Sequence, residues 1–163
     1  MAQATTRDWL DGIQKGLLQQ LTENKGALPK GFNQDRFILN SITVIRDMLR
    51  DSKKKKQLQE IDYTSIPICL AKGAFLGLDF FNGECYAIPY GGEMKFQTDY
   101  KGEIKLCKRY SKNEIKDIFA KVVREGDFFE ESVDSGVQNV IYKPLPFSNK
   151  PMVGAFAIVV FKD

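Results

Sequence analysis

Helical and strand-forming patterns occupy different parts of this chain, and this separation limits the folds that it can adopt. Up to about residue 77, apolar residues recur at intervals of three and four, as on one face of an α-helix. Beyond that point the patterns are typical of short strands, with one further helical segment among them. Helices followed by mainly antiparallel strands are typical of the α+β class, which the sequence therefore predicts.

Three helices are predicted in the amino-terminal part. Their predicted limits are a cap at Thr5 or Thr6 to about Leu21, a cap at Asn33 to about Arg50, and Ser65 to Gly77. The last helix has Pro67 in its first turn and glycine at its C′ position, as helices commonly do. The run Lys53–Lys56 is predicted to be a loop, which is either solvated or in contact with a nucleic-acid backbone.

A β-hairpin is predicted around Gly91-Gly92, between strands at Cys85–Tyr90 and Met94–Thr98. It leads into a helix for which Thr98 or Asp99 is a suitable N-cap. Further strands are predicted at Ile115–Arg124, Val137–Tyr142 and Val153–Phe161. The sequence thus predicts a single domain over residues 1–163, in which amino-terminal helices pack on a small, twisted, mainly antiparallel sheet whose hairpin leads into a basic helix.

The helix after the hairpin carries its positive charges on one side. At 100° per residue, about a third of its circumference holds Lys101, Lys105, Lys108, Arg109 and Lys112. The side predicted to dock on the core holds Tyr100, Ile104, Leu106, Cys107 and Tyr110. Nine basic and four acidic residues lie between Lys95 and Arg124, although the whole chain has a net charge of only +3. Segregated positive charge attracts polyanions, and a solvated lysine-rich face is the ordinary alternative.

Composition excludes several kinds of chemistry. The chain has no histidine, which excludes a Ser-His-Asp relay and a His-ligated zinc ion. It has no GxxxxGK[ST] loop for nucleotide phosphates. Most familiar hydrolase chemistries and an ATP-driven motor are therefore not expected, and no catalytic residue, metal or cofactor is assigned.

Cysteine usage and hydropathy suggest a location. Cys69, Cys85 and Cys107 are odd in number and widely spaced, which fits a reducing cytoplasm better than a disulfide framework. The chain has no signal-peptide pattern and no apolar run of about 20 residues, so neither export nor a membrane span is expected.

Several short segments, taken in order, resemble one known family. They are Leu28-Pro29-Lys30, Leu76-Gly77-Leu78, Tyr86-Ala87-Ile88-Pro89-Tyr90-Gly91, Tyr100-Lys101-Gly102, and Val122-Val123-Arg124-Glu125-Gly126-Asp127. With this order and spacing, the chain resembles the RecT family of phage single-strand DNA annealing proteins, which is distantly related to the beta protein of lambda Red.

The resemblance implies a function without covalent chemistry. Such proteins coat single-stranded DNA, form rings or helical filaments, and pair complementary strands without ATP in phage-type recombination. The implied partners are single-stranded DNA, the annealed duplex intermediate and further copies of the chain, with a phage exonuclease as a candidate, in a bacterial or phage-infected cell. The family's Tyr-Lys-Gly element and basic residues then predict a DNA-binding set: Lys95, Gln97, Tyr100, Lys101, Lys105, Lys108, Arg109 and Arg124.

Some features depart from the family pattern. Asp99 stands where many members have glycine, and Glu103 lies within the apolar side of the basic helix. Gly102 either allows a close backbone approach or relieves packing. The chain ends just after the strand predicted to finish at Phe161, whereas family members continue further, so a truncated annealing core is expected.

Two alternative functions are compatible with the sequence. Glu103-Ile104-Lys105 is an ExK triplet, which with Asp79 would suit a magnesium-dependent nuclease. The acidic segment from Glu125 to Asp134 would instead suit the partner surface of a non-catalytic interaction protein.

Overall fold

The computed structural model of the chain describes residues 6–162. Its helices are α1 Thr6–Glu23, α2 Gln34–Arg50, α3 Ser52–Glu60, α4 Ser65–Leu76 and α5 Tyr100–Tyr110, with a 3-10 turn at Lys25–Ala27. Its strands are β1 Cys85–Tyr90, β2 Glu93–Thr98, β3 Ile115–Arg124, β4 Phe128–Asp134, β5 Val137–Lys143 and β6 Met152–Phe161. The α+β prediction is confirmed. The chain divides into two compact units, the first ending at Leu106 and the second beginning at Cys107.

Local signals define the ends of the predicted helices. The Asn33 side chain accepts a hydrogen bond from the N–H of Arg36 at 2.9 Å, which confirms it as the cap of α2. Gly77 ends α4 in the left-handed conformation, with φ of 62°, as predicted. Thr5, one of the two caps predicted for the first helix, lies outside the described residues.

The prediction of a loop at Lys53–Lys56 is wrong, because these residues belong to α3. The Asp51 carboxylate accepts hydrogen bonds from the N–H groups of Lys53 and Lys54 and so caps the helix. Lysine is a good helix former. Leu58, which has the one large apolar side chain of α3, is buried in the core. Capping, propensity and a single buried contact therefore fold a segment that has no apolar periodicity.

The first unit has a core between its helices and one face of the hairpin. Helices α1 and α2 contribute apolar side chains spaced by three or four residues, and α4 is buried along most of its length. The largest fully buried side chains here include Ile13, Leu17, Leu21, Ile45 and Leu70. Trp9 packs at the edge of this core against Tyr63, whose hydroxyl donates to the Trp9 carbonyl at 2.9 Å. Trp9 is therefore held by contacts within its own chain.

The predicted hairpin is confirmed. β1 and β2 pair antiparallel with Cys85 opposite Thr98 and Tyr90 opposite Glu93. Gly91 and Gly92 form the turn, with φ of 61° and 77°, values that glycine adopts readily. The turn is also attached to the helices, because its Gly92 carbonyl accepts the N–H of Asp62 at 2.7 Å.

The second unit contains two further antiparallel pairs, β3 with β6 and β4 with β5. Strand β4 was not predicted, because acidic residues are uncommon in strands and its sequence does not alternate between apolar and polar residues. Ser135 and Gly136 join β4 to β5, both with positive φ, which is the pattern of a two-residue hairpin turn. The antiparallel strands described thus form three separate pairs.

Among residues 6–162, no helix combines the length and the apolar character that a membrane span requires.

Candidate nucleic-acid interface

The β1–β2 hairpin has one buried face and one exposed face. On the buried face, Cys85, Ala87 and Met94 pack into the core. The alternate side chains of β1 face outward, with exposed fractions of 44% for Tyr86, 38% for Ile88 and 75% for Tyr90. Opposite them on β2 lie Gln97, Lys95 and Glu93 in that order. Lys95 forms an ion pair with Glu93. The outer face therefore combines aromatic rings with a few polar and charged groups.

The start of α5 continues this outer face. The Asp99 carboxylate accepts the N–H of Lys101 at 3.1 Å, which confirms Asp99 as an N-cap. The same carboxylate accepts the hydroxyl of Tyr86 at 3.1 Å, and this hydrogen bond is the main cause that raises the pKa of Tyr86. Tyr100 follows, two-thirds exposed, with the Lys101 Nζ 5.9 Å from its ring centroid. Asp99 thus links the strand to the basic helix.

Helix α5 is attached to the loop before β1 through Glu84. The Glu84 carbonyl accepts the N–H of Asp99 at 3.0 Å. A Cβ atom added to Gly102 would lie only 2.1 Å from that carbonyl oxygen, so glycine allows a close backbone approach within the protein. The Glu84 carboxylate also accepts the N–H of Asp79 at 2.9 Å. At Gly102, α5 therefore lies directly against the backbone of Glu84.

Lys105 forms an ion pair rather than pointing freely outward. Its Nζ lies 2.7 Å from the Glu84 carboxylate, which is mostly buried. The pair links α5 to the loop before β1, and because it is partly removed from water, loss of either partner would leave the other charge poorly compensated. A phosphate would have to compete with Glu84 for the same ammonium group.

The other predicted basic residues of α5 lie in its last turn, which belongs to the second unit. Lys108 is exposed, with its Nζ 3.8 Å from the Asp117 carboxylate. The Arg109 guanidinium lies 5.9 Å from the ring centroid of Tyr110. The helix ends at Tyr110, so placing Lys112 on it was wrong.

The prediction for the docking side of α5 was also partly wrong. Tyr100, Cys107 and Tyr110 are exposed, whereas Gly102 is buried and Leu106 packs against the core. Contact with the Glu84 backbone requires a residue without a side chain, and glycine has none. The surface of α5 that packs on the protein is therefore narrower than the apolar pattern of the sequence indicated.

Arg124 belongs to the second unit, at the end of β3. Its guanidinium donates to the Lys150 carbonyl at 2.7 Å, and its N–H donates to Asp127 at 2.9 Å. Asp127 also accepts the N–H of Leu145, which is the largest cause that lowers the pKa of this carboxyl. Arg124 therefore helps to hold a turn. That it lines the same groove as Lys95 and Gln97 stays a prediction.

The three residues of the ExK triplet lie on helix α5, and Glu103 and Lys105 bind different protein groups. Thr98 donates a hydrogen bond to the Glu103 carboxylate. The Asp79 carboxylate accepts the amide of Asn40 at 2.9 Å and the N–H of Phe81 at 2.8 Å. Within residues 6–162, no three His, Cys, Asp or Glu side chains are grouped as a metal site would require. These contacts do not favour the nuclease interpretation.

A comparison with protein families gives the relationship. The model of the RecT family matches residues 35–163, which is most of the chain. The chain belongs to the RecT family. Membership implies recombination of the phage type by single-strand annealing, and with it binding of single-stranded DNA. A search of curated proteins found no match.

The segments that resemble the RecT family now have structural explanations. Tyr86–Gly91 forms most of β1 and the first residue of the hairpin turn, and Tyr100-Lys101-Gly102 is the first turn of α5. Val122–Asp127 forms the end of β3 and the turn that Asp127 stabilises. In this part of the chain the family pattern includes residues that maintain the fold as well as candidates for DNA contact.

Sequence reasoning missed Glu84. No local signal distinguishes it from other acidic residues, because its partners are separated from it by 5 to 21 positions in the chain. The exposed tyrosines had a weak signal, the alternation of Tyr86, Ile88 and Tyr90 beside a glycine turn.

Replacing Gly102 by alanine should destabilise the first unit. The new methyl group would overlap the Glu84 carbonyl, and overpacking of this kind costs about 1–3 kcal/mol. Urea unfolding followed by Trp9 fluorescence would measure the loss. Gly26→Ala is the matched control, since no atom lies within 4 Å of its added Cβ. Equal stability of G102A and G26A would contradict the contact.

Proposed function

We propose that this protein binds single-stranded DNA and pairs complementary strands without ATP, as one annealing core made of both units. The proposed binding surface is the outer face of the β1–β2 hairpin together with the basic side of α5. The observation that carries the proposal is the exposure of Tyr86, Tyr90 and Tyr100 on the same elements that expose Lys95 and Lys101.

Exposed aromatic rings support contact with bases. Tyr90 and Tyr100 are 75% and 66% exposed, and each offers a ring face to which a base can stack. Base stacking on aromatic side chains is worth about 1–3 kcal/mol per base and tolerates any sequence. Phe96 is different, because its ring packs against Phe80 in the core. The tyrosines are therefore the proposed stacking residues.

The basic residues differ in how readily they can meet a phosphate. Lys101 is exposed beside Tyr100, and the ion pair of Lys108 is long at 3.8 Å. Lys105 and Arg124 are occupied by close intrachain contacts. We therefore propose Lys101 and Lys108 as the principal phosphate contacts. Weaker contributions are assigned to Lys95, Gln97, Lys105, Arg109 and Arg124.

The proposed activity requires no bond to be made or broken in DNA. Lysine side chains neutralise phosphates and release counterions, which reduces the repulsion between two strands. Stacking on tyrosines holds bases without reading their sequence, so that pairing edges stay accessible. The protein is thus proposed to be non-catalytic. A phage exonuclease is the candidate supplier of single strands in the cytoplasm of a bacterial or phage-infected cell.

Assembly into a ring or helical filament is part of the proposal. The second unit exposes large apolar side chains, including Val133 and Met152 at 69% each and Phe147 almost completely. Large exposed apolar side chains are candidates for contact with another protein surface. We propose that such surface is covered by further copies of the chain on DNA.

The protein should anneal complementary oligonucleotides in EDTA without any nucleotide. A quenched fluorescent pair would report annealing, and light scattering would report assembly in the same sample. Magnesium-dependent loss of a labelled strand would instead indicate a nuclease. Failure to bind single strands at low salt would contradict the proposal and favour a protein-interaction function.

Replacing Lys101 and Lys108 by glutamine should weaken DNA binding and flatten its salt dependence. Each lost phosphate contact lowers the log–log slope by about 0.7 for single strands, so the double variant should lose about 1.4. Fluorescence anisotropy of labelled oligo-dT over a salt series would measure this change.

The control for this experiment is Lys15→Gln with Lys25→Gln. Both lysines are exposed in the first unit, on α1 and in the 3-10 turn, which form no part of the proposed surface. This pair removes the same charge and should leave the slope at its wild-type value. If both double variants gave the same slope, the assignment of Lys101 and Lys108 would be wrong.

A further inference from the structure

Helix α3 carries a concentration of charge that the core does not need. It has four consecutive lysines, Lys53–Lys56, all exposed, and its buried residue is Leu58. At 100° per residue, four consecutive side chains surround most of a helix. The four ammonium groups are therefore distributed around the solvent-exposed part of α3.

The positive charge of α3 is poorly compensated within the protein. Among residues 6–162, none of the four lysines forms an ion pair. Lys53 and Lys56 are three residues apart, at which spacing like charges repel on a helix. At the helix start, the Asp51 carboxylate caps α3 and also interacts electrostatically with Lys53 and Lys54. An external anion would remove this repulsion.

The location of α3 suggests which anion. Within the first unit, α3 packs beside β1, the strand that exposes Tyr86 and Tyr90. The segment after α3 is attached to the hairpin at two points: Asp62 N–H donates to Gly92, and the Met94 N–H donates to Ser65 Oγ at 2.8 Å. The lysine helix and the exposed tyrosines therefore belong to connected parts of the first unit.

We propose that Lys53–Lys56 of α3 form a second phosphate-contacting element, on the β1 side of the hairpin. A strand of DNA whose bases stack on the outward tyrosines would have its backbone between α3 and the start of α5. This inference rests on the proposed function and adds to it a surface that the basic helix α5 does not supply. Its ligand is the phosphate backbone of single-stranded DNA, read without sequence preference.

The test replaces all four lysines of α3 by glutamine, as K53Q/K54Q/K55Q/K56Q. Glutamine is also a good helix former, and Asp51 keeps its capping bonds to backbone N–H groups. Affinity for labelled oligo-dT is measured over a salt series. Loss of two to four phosphate contacts should reduce the log–log slope by about 1.4 to 2.8.

Two controls separate a local contact from a change in net charge. K15Q/K25Q/K30Q/K72Q removes the same charge from exposed lysines outside α3 and should keep the wild-type slope. Replacing the four lysines of α3 by arginine keeps the charge and should also keep the slope. If circular dichroism showed loss of helix in the glutamine variant, K53Q/K56Q would replace it, with an expected loss of about 0.7 to 1.4.

The outcomes distinguish this inference from the proposed function. A wild-type slope in the α3 variant, with a reduced slope in K101Q/K108Q, would overturn the inference and leave the proposed function intact. A wild-type slope with altered particle size would mean that α3 contacts another protein surface, which also overturns it. Absence of DNA binding by the wild-type protein would contradict the proposed function itself.

Discussion

The contacts of Glu84 determine how the candidate interface is built. Its carbonyl accepts the N–H of Asp99 and lies against Gly102, while its carboxylate accepts Asp79 N–H and Lys105 Nζ. One residue thus fixes the base of the hairpin, the preceding loop and the start of α5. Because Asp99 in turn accepts the hydroxyl of Tyr86 and the N–H of Lys101, the positions of these two residues depend on Glu84 as well.

This arrangement changes which charges matter for binding. A helical wheel treats the basic residues of α5 as equivalent, but Lys105 is committed to Glu84 and Arg124 to a backbone carbonyl. Charges that hold the fold contribute less to attraction of a polyanion than exposed ones do, because their field is already opposed locally. The four lysines of α3 have no ion pair among the described residues, and so their charge is available to a ligand.

Elements with strong local signals could be predicted from the sequence, and those stabilised by distant contacts could not. The Asn33 cap, the Gly77 C′ position and the Gly91-Gly92 turn each act within a few residues, so α2, α4 and the hairpin were found. Helix α3 was missed because one leucine gives no periodicity, and β4 because acidic residues obscure a strand that its hairpin partner stabilises.

The residue types of the candidate site could be predicted from the sequence, but the intrachain contacts of these residues could not. Sequence identified Tyr100, Lys101 and the basic side of α5, since charge segregation is visible along the chain. The ion pair of Lys105 and the close approach at Gly102 depend on the loop that ends at Glu84, which only the folded structure brings to α5. The same is true of the packing of α3 beside β1.

Photochemical crosslinking would show where DNA lies on the protein. Single strands containing 5-bromodeoxyuridine would be bound at low salt and irradiated, and the crosslinked peptides would be identified by mass spectrometry. The structure predicts crosslinks in peptides that contain Tyr86, Tyr90 or Tyr100, because these rings are exposed beside the basic residues. Crosslinks confined to β4 and β5, with none in the hairpin or at the start of α5, would contradict this account.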